Sequence, residues 1–127
     1  MTGPDPKQVV RRLIEEVMNH GDLSVLEELY SPRLAPAARR WIAPFLESFT
    51  DVRMSIVELV SDGQTVAGRF TCSGRHTGTW LGHPATGRRF TDVAEVYFFR
   101  VVDGQIVRAW GLEDTADRLR QLGLTLT

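Results

Sequence analysis

The chain predicts an α+β fold. Apolar residues recur at helical spacing up to Phe49, β-prone segments punctuated by two Asp-Gly pairs run from Val52 to Trp110, and one short helical segment follows. At 127 residues the length suits one domain with a real core. No linker, internal repeat or low-complexity stretch divides it, so residues 1–127 are read as a single domain.

The elements follow in order. Asp5-Pro6 ahead of Val9, Val10, Leu13, Ile14 and Val17 predicts an amphipathic helix, with Asp5 as N-cap and Pro6 in the first turn. Asn19-His20-Gly21 stops it. Asp22 restarts a short helix through Leu23, Leu26, Leu29 and Tyr30, and Ser31-Pro32 ends that one. Pro36 to Phe49 predicts a third helical segment carrying Trp41, Ile42, Phe45, Leu46 and Phe49. Pro44 inside it predicts a kink or a break.

After Asp51 the period changes. Val52 to Val60 predicts a strand, and Asp62-Gly63 a hairpin. Val66, Gly68, Phe70 and Cys72 alternate with Ala67, Arg69, Thr71 and Ser73. A Gly-rich loop from Gly74 to Gly87 holds His76, Trp80, His83 and Pro84. Phe90 to Val102 is a long β-prone run, Asp103-Gly104 the second hairpin, Gln105 to Trp110 the last strand, and Thr115 to Gly123 a closing helix. A curved sheet wrapped around the N-terminal helices would leave a pocket between the layers.

The bulk numbers exclude several classes. A net charge of -1 gives no electrostatic footprint for nucleic acid or an anionic membrane. One cysteine, Cys72, excludes an internal disulfide and fits a reducing compartment. The polar N-terminus lacks a signal-peptide core, and no apolar run is long enough to span a bilayer, so the expected compartment is the cytoplasm. No phosphate-binding glycine loop, HExxH, CxxC or GxSxG occurs, and His20, His76 and His83 lack metal-ligand spacing. No metal or cofactor is expected. Cys72, mid-strand between Thr71 and Ser73, reads as a packing residue.

The chemistry left over belongs to carboxylates, histidines and hydroxyls. If the last strand stays extended, Arg108, Trp110, Leu112 and Asp114 share one face and Val107, Ala109, Gly111 and Glu113 the other. Asp114 would then stand beside an aromatic wall as a partly desolvated acid or base. Equally, Asp114 ahead of Thr115-Ala116-Asp117 is a sound N-cap, a role that holds a carboxylate ionised. His76, where strand gives way to loop, is either an acid–base partner or a loop histidine bonded to nearby backbone. Glu95, Tyr97 and Phe99 share one face of the long strand, and Val96, Phe98 and Arg100 the other. A glutamate in such a run pairs with an arginine or lines a cavity. Both faces are largely apolar, which points to a second subunit covering the outer one.

Several segments occur together and in order: Gly74-Arg75-His76-Thr77-Gly78, Gly82-His83-Pro84-Ala85-Thr86-Gly87, and Asp103-Gly104-Gln105-Ile106-Val107-Arg108-Ala109-Trp110. Glu113-Asp114 and Leu119-Arg120-Gln121-Leu122-Gly123 complete the set. With them the second half resembles the SnoaL-like polyketide cyclases, sometimes called ester cyclases, of the NTF2-like superfamily. The resemblance covers residues 51–124 well and 5–50 by helix pattern alone. It implies a cone, in which a strongly bent antiparallel sheet and three N-terminal helices close an apolar pocket. It also implies a homodimer through the outer sheet face, and cofactor-free closure of a ring in a hydrophobic polyketide-like carbonyl compound by aldol-type acid/base chemistry.

On that reading Asp114 is the acid/base and His76 its assistant. Trp41, Phe45, Trp80, Glu95, Tyr97 and Trp110 form the substrate pocket. The chain departs from the resemblance in one respect: many relatives carry a histidine shortly after the second helix, and Tyr30-Ser31-Pro32-Arg33-Leu34-Ala35 has none. A non-catalytic small-molecule-binding protein is the alternative. A second alternative, which the superfamily also includes, is an epoxide hydrolase with an aspartate–arginine–aspartate arrangement; Asp92, Arg69, Arg75, Arg100 and Arg108 supply raw materials, and their spacing singles out no such triad.

Overall fold

A computed structural model describes residues 5–125. Helix α1 (Pro6–Arg12) runs on without interruption into a π-helical segment, Leu13–Met18. Asp5 Oδ1 accepts from the backbone N–H of Lys7 at 3.0 Å, the expected cap. Gly21, at φ +70°, ends this helix, and Asp22 caps the next turn through the N–H of Ser24. Helix α2 (Leu26–Leu29) is short and almost wholly buried on one side. Helix α3 (Ala35–Ser48) is a single helix with Pro44 inside it. Of the two expected outcomes, a kink or two short pieces, the single helix excludes the two pieces. Its last turn is tied down instead, since Ser48 Oγ donates to Pro44 O at 3.0 Å or Thr79 O at 2.6 Å.

Four strands follow, β1 (Phe49–Asp62), β2 (Thr65–His76), β3 (Arg89–Val102) and β4 (Gln105–Glu113), and then helix α4 (Thr115–Gln121). They form one antiparallel sheet in the order β1-β2-β3-β4. The expected hairpins are present. Asp103 and Gly104 both have positive φ, +50° and +78°, the backbone that a tight right-twisting hairpin requires. The first strand begins at Phe49, three residues before the expected start. Its register shifts between Thr50 and Arg53 and again between Ile56 and Glu58, and Asp51 sits at φ +54°. Such irregularities bend a sheet. The bend lets α1 and α3 sit within the concave side.

Strand parity is now settled. Val66, Phe70 and Cys72 of β2 and Val93, Glu95, Phe99 and Val101 of β3 are buried, facing Val10, Ile14, Val17 and Leu26 from the helices. Phe98, Trp110 and Leu112 are exposed on the convex side. No helix among the described residues is long and apolar enough to cross a membrane.

Candidate functional site

Between the concave sheet face and the helices lies a cavity of about 360 Å³. Leu13, Ile14 and Met18, all from the π-helical segment, form part of its helical wall. Trp41, Ile42 and Phe45 of α3 add to it, and Tyr30 and Met54 also line the cavity. Glu95, Tyr97 and Phe99 of β3 and Ala109, Gly111 and Glu113 of β4 form the sheet wall, with Trp110 also at the lining. The apolar volume falls within the usual range for small-molecule sites, about 300–1,000 Å³.

One wall is polar. Cross-strand pairing sets Glu95 opposite Glu113, and Tyr97 opposite Gly111. Arg118, from α4, is fully buried and reaches between the two glutamates. Its Nη2 donates to Glu95 Oε2 at 2.8 Å and its Nη1 to Glu113 Oε1 at 2.6 Å. The Tyr97 hydroxyl donates to Glu95 Oε1 at 2.7 Å and lies 3.4 Å from Glu113 Oε2. Aromatic rings box the guanidinium, with Phe90 at 4.7 Å from its Cζ, Phe45 at 5.2 Å, Trp80 at 5.8 Å and Phe49 at 6.0 Å. Ring faces attract a cation and exclude the water that would screen it.

Burial sets the electrostatics. It pushes the Glu95 carboxyl above the usual carboxylate range. The Tyr97 hydrogen bond and Arg118 oppose that, while the neighbouring Glu113 adds to it. The Tyr97 phenol is raised by burial and by the Glu95 carboxylate beside it. Burial works against the Arg118 charge, but Glu113 and Glu95 more than offset it, so the guanidinium stays charged. Two carboxylates thus share one buried cation, a geometry in which removing the cation is costly.

The sequence-derived candidates divide. Trp41, Phe45, Glu95, Tyr97 and Trp110 all line the cavity. Trp80 does not; it is buried behind the wall, packed on Phe49 and Arg118. His76 is likewise outside the lining. Its ring is buried against Phe49 at 5.5 Å, and its Nδ1 accepts from the backbone N–H of Thr86 at 3.1 Å. Desolvation lowers its pKa and keeps the ring neutral. Asp114 is exposed and caps α4, its Oδ1 accepting from the N–H of Asp117 at 3.0 Å.

The expectation that Asp114 would face the pocket is corrected: the inward side chain at the strand end is Glu113, while Trp110 touches the lining with its ring on the convex face. Strand β4 keeps its alternation through Glu113, so the next residue points away. Glu113 and Arg118 are the site residues that sequence reasoning passed over. The signal for Arg118 was its spacing, four residues before the buried Leu122 on the same helix face. Asp92, Arg69, Arg75, Arg100 and Arg108 are all exposed, and none lines the cavity. Among the described residues no cluster of three or more His, Cys, Asp or Glu could hold a metal ion.

Comparison with known proteins agrees with this architecture. The family model "SnoaL-like polyketide cyclase" matches residues 8–122. The aklanonic acid methyl ester cyclase DnrD of Streptomyces peucetius is 32% identical over 108 residues, 85% of this chain and 72% of that protein. The structure of TsrD from Streptomyces laurentii superposes with a TM-score of 0.85 at 28% identity, covering 94% of this chain and 95% of that one. That of IdmH, a putative polyketide cyclase from Streptomyces antibioticus, gives 0.82 at 28% identity, covering 95% and 100%. None of these lends support to epoxide hydrolysis.

Proposed function

The chain belongs to the SnoaL-like polyketide cyclases, and on that footing we propose that it closes a ring in a hydrophobic, polyketide-like carbonyl compound by aldol-type acid/base chemistry. The observation that carries this reading is the apolar cavity with carboxylates set into one wall. A proton flanked by carbonyls is already acidic, and its enolate spreads over a conjugated system. One positioned carboxylate and a dry cavity then suffice, with no metal or cofactor in the step. Trp41 and Phe45 supply aromatic surface for a flat substrate.

The compound named for the relative DnrD provides the test. Purified protein is incubated with aklanonic acid methyl ester and the products are separated by chromatography with mass detection. Aldol closure is an isomerisation, so a new product of unchanged mass supports the cyclase. An ester that raises the unfolding temperature yet is recovered unchanged marks the chain as a non-catalytic binding protein.

The convex sheet face supports a further part of this proposal, a homodimer. Val60, Ala67, Phe98 and Trp110 lie in one cross-strand row, and Phe98 and Trp110 stack edge to face at 5.8 Å while both remain exposed. Leu112, 67% exposed, extends the patch. Light scattering should give twice the chain mass, and Leu112→Glu should reduce it to one; a monomeric parent rejects this part. The buried single cysteine fits the cytoplasm as the working compartment.

A further inference from the structure

We propose that Glu113 is the carboxylate that moves the proton, and that Arg118, Glu95 and Tyr97 are positioning residues that aim it. The inference rests on the cyclase reading for its substrate, but its geometry stands apart from it. Glu95 and Glu113 are the two carboxylates at the cavity. Glu95 has both oxygens engaged, one by Arg118 and one by Tyr97, and is only 4% exposed. Glu113 has one close partner, Arg118 at Oε1, 2.6 Å away. Its Oε2 is 3.4 Å from the Tyr97 hydroxyl, whose single proton is already directed to Glu95 at 2.7 Å. Oε2 therefore keeps a lone pair for a ligand.

Arg118 anchors one oxygen of that carboxylate. The guanidinium is rigid, fully buried and held in its aromatic box, so Oε1 is pinned, and the Tyr97 hydroxyl 3.4 Å from Oε2 marks the side on which that oxygen lies. The sequence of β4 makes room for the ring of Tyr97 beside that carboxylate. Ala109 and Gly111, the two inward residues before Glu113, carry almost no side chain. The Tyr97 ring lies over Gly111 in the space that a side chain there would fill.

The step balances within the substrate and Glu113. Oε2 takes a proton from a carbon flanked by carbonyls, and the C–H electrons enter the enolate. The enolate carbon bonds to a second carbonyl carbon, whose π electrons move to its oxygen. The protonated Glu113 then gives its proton to that alkoxide and returns to a carboxylate. No oxidant, reductant or co-reactant is consumed.

The test uses 5-nitrobenzisoxazole, a small flat apolar compound that reports a carboxylate base in an apolar site. Loss of its ring proton breaks the N–O bond and releases a coloured cyanonitrophenolate. The wild-type protein should accelerate this reaction beyond the same concentration of free acetate, and Glu113→Gln should remove at least about nine-tenths of the catalysed rate. Glu113→Asp, which keeps the charge but withdraws it by one methylene, should lower the rate in a protein of near-wild-type stability. Asp114→Asn should leave the rate within about threefold, since asparagine caps as well as aspartate.

Glu95→Gln should retain a base but lower kcat with little change in KM, because the Arg118–Tyr97 frame that aims Glu113 loses its charged partner. A merely structural role for Glu95 would lower the yield of folded protein and leave kcat per folded molecule in place. No acceleration by the wild-type protein, or a catalysed rate that survives Glu113→Gln, overturns the proposal. Acceleration without conversion of the polyketide ester leaves the base in place and rejects the cyclase reading alone.

Discussion

Replacing Arg118 with methionine tests the buried network most severely. Methionine fits the box of Phe45, Phe49, Trp80 and Phe90 without a new polar group, so the chief loss is electrostatic. Two charge-assisted hydrogen bonds vanish, at 2.8 Å to Glu95 and 2.6 Å to Glu113. Breaking a buried pair by deleting one partner costs about 3–5 kcal/mol. The Glu113 side chain is 33% exposed, so water recovers part of its share and the lower end applies. For a chain of this size, about 3 kcal/mol is a fall of roughly 10 °C in the unfolding temperature.

The pH dependence gives the sign. Burial already raises the Glu95 pKa, and losing Arg118 raises it further. A carboxyl raised in the folded state contributes stability that is full below its unfolded pKa and lost as pH rises through the folded one. The gap between variant and wild type should therefore be widest near neutrality and shrink on acidification toward about pH 4. Glu95→Gln added to Arg118→Met should recover stability at neutral pH, because the orphaned charge is gone. Thermal unfolding followed by circular dichroism across that range is the assay. A variant within about 1 kcal/mol of wild type, or a loss that does not change with pH, would refute the reasoning.

Three further outcomes are expected. Gly111→Ala places a Cβ against the Tyr97 ring and 2.7 Å from the Val96 carbonyl oxygen, so it should cost about 1–3 kcal/mol. Its cost in unfolding experiments should be partly relieved when Tyr97 is also reduced to alanine. Asp114→Ala removes the α4 cap and should cost about 1 kcal/mol in denaturant unfolding, whereas Asp114→Asn should cost far less. For His76, whose pKa burial lowers, protonation is penalised in the folded state, so stability falls as pH drops below roughly 6.5. His76→Phe should flatten that acid slope in a pH series of unfolding temperatures, and an unchanged slope would show that His76 does not carry it.

Much of the fold was legible because local chemistry fixes it. Asp5, Asp22 and Asp114 cap helices as their neighbours require, and both Asp-Gly pairs lie at hairpin turns. The Glu95–Tyr97–Phe99 face was also legible, and Glu95 both pairs with an arginine and lines the cavity. The inward face was not, since Tyr97 and Phe99 on one side and Val96 and Phe98 on the other are equally apolar. The end of β4 was harder still: a shift of one residue exchanges Glu113 for Asp114 on the inner face. His76 and Trp80 resemble site residues by type, yet the end of β2 and the loop 77–88 place them in an aromatic cluster behind the cavity. Arg118 lay hidden because a cation in a surface-like helix becomes a site residue only when the sheet places carboxylates opposite it.

Initial rates of aklanonic acid methyl ester cyclisation by Glu113→Gln and Asp114→Asn, measured side by side with the wild type, test the central claim most directly. The cavity geometry predicts a fall of at least about a hundredfold for Glu113→Gln and a rate within about threefold of wild type for Asp114→Asn. Full turnover by Glu113→Gln with loss in Asp114→Asn would contradict it, and would return the chemistry to the residue that caps α4.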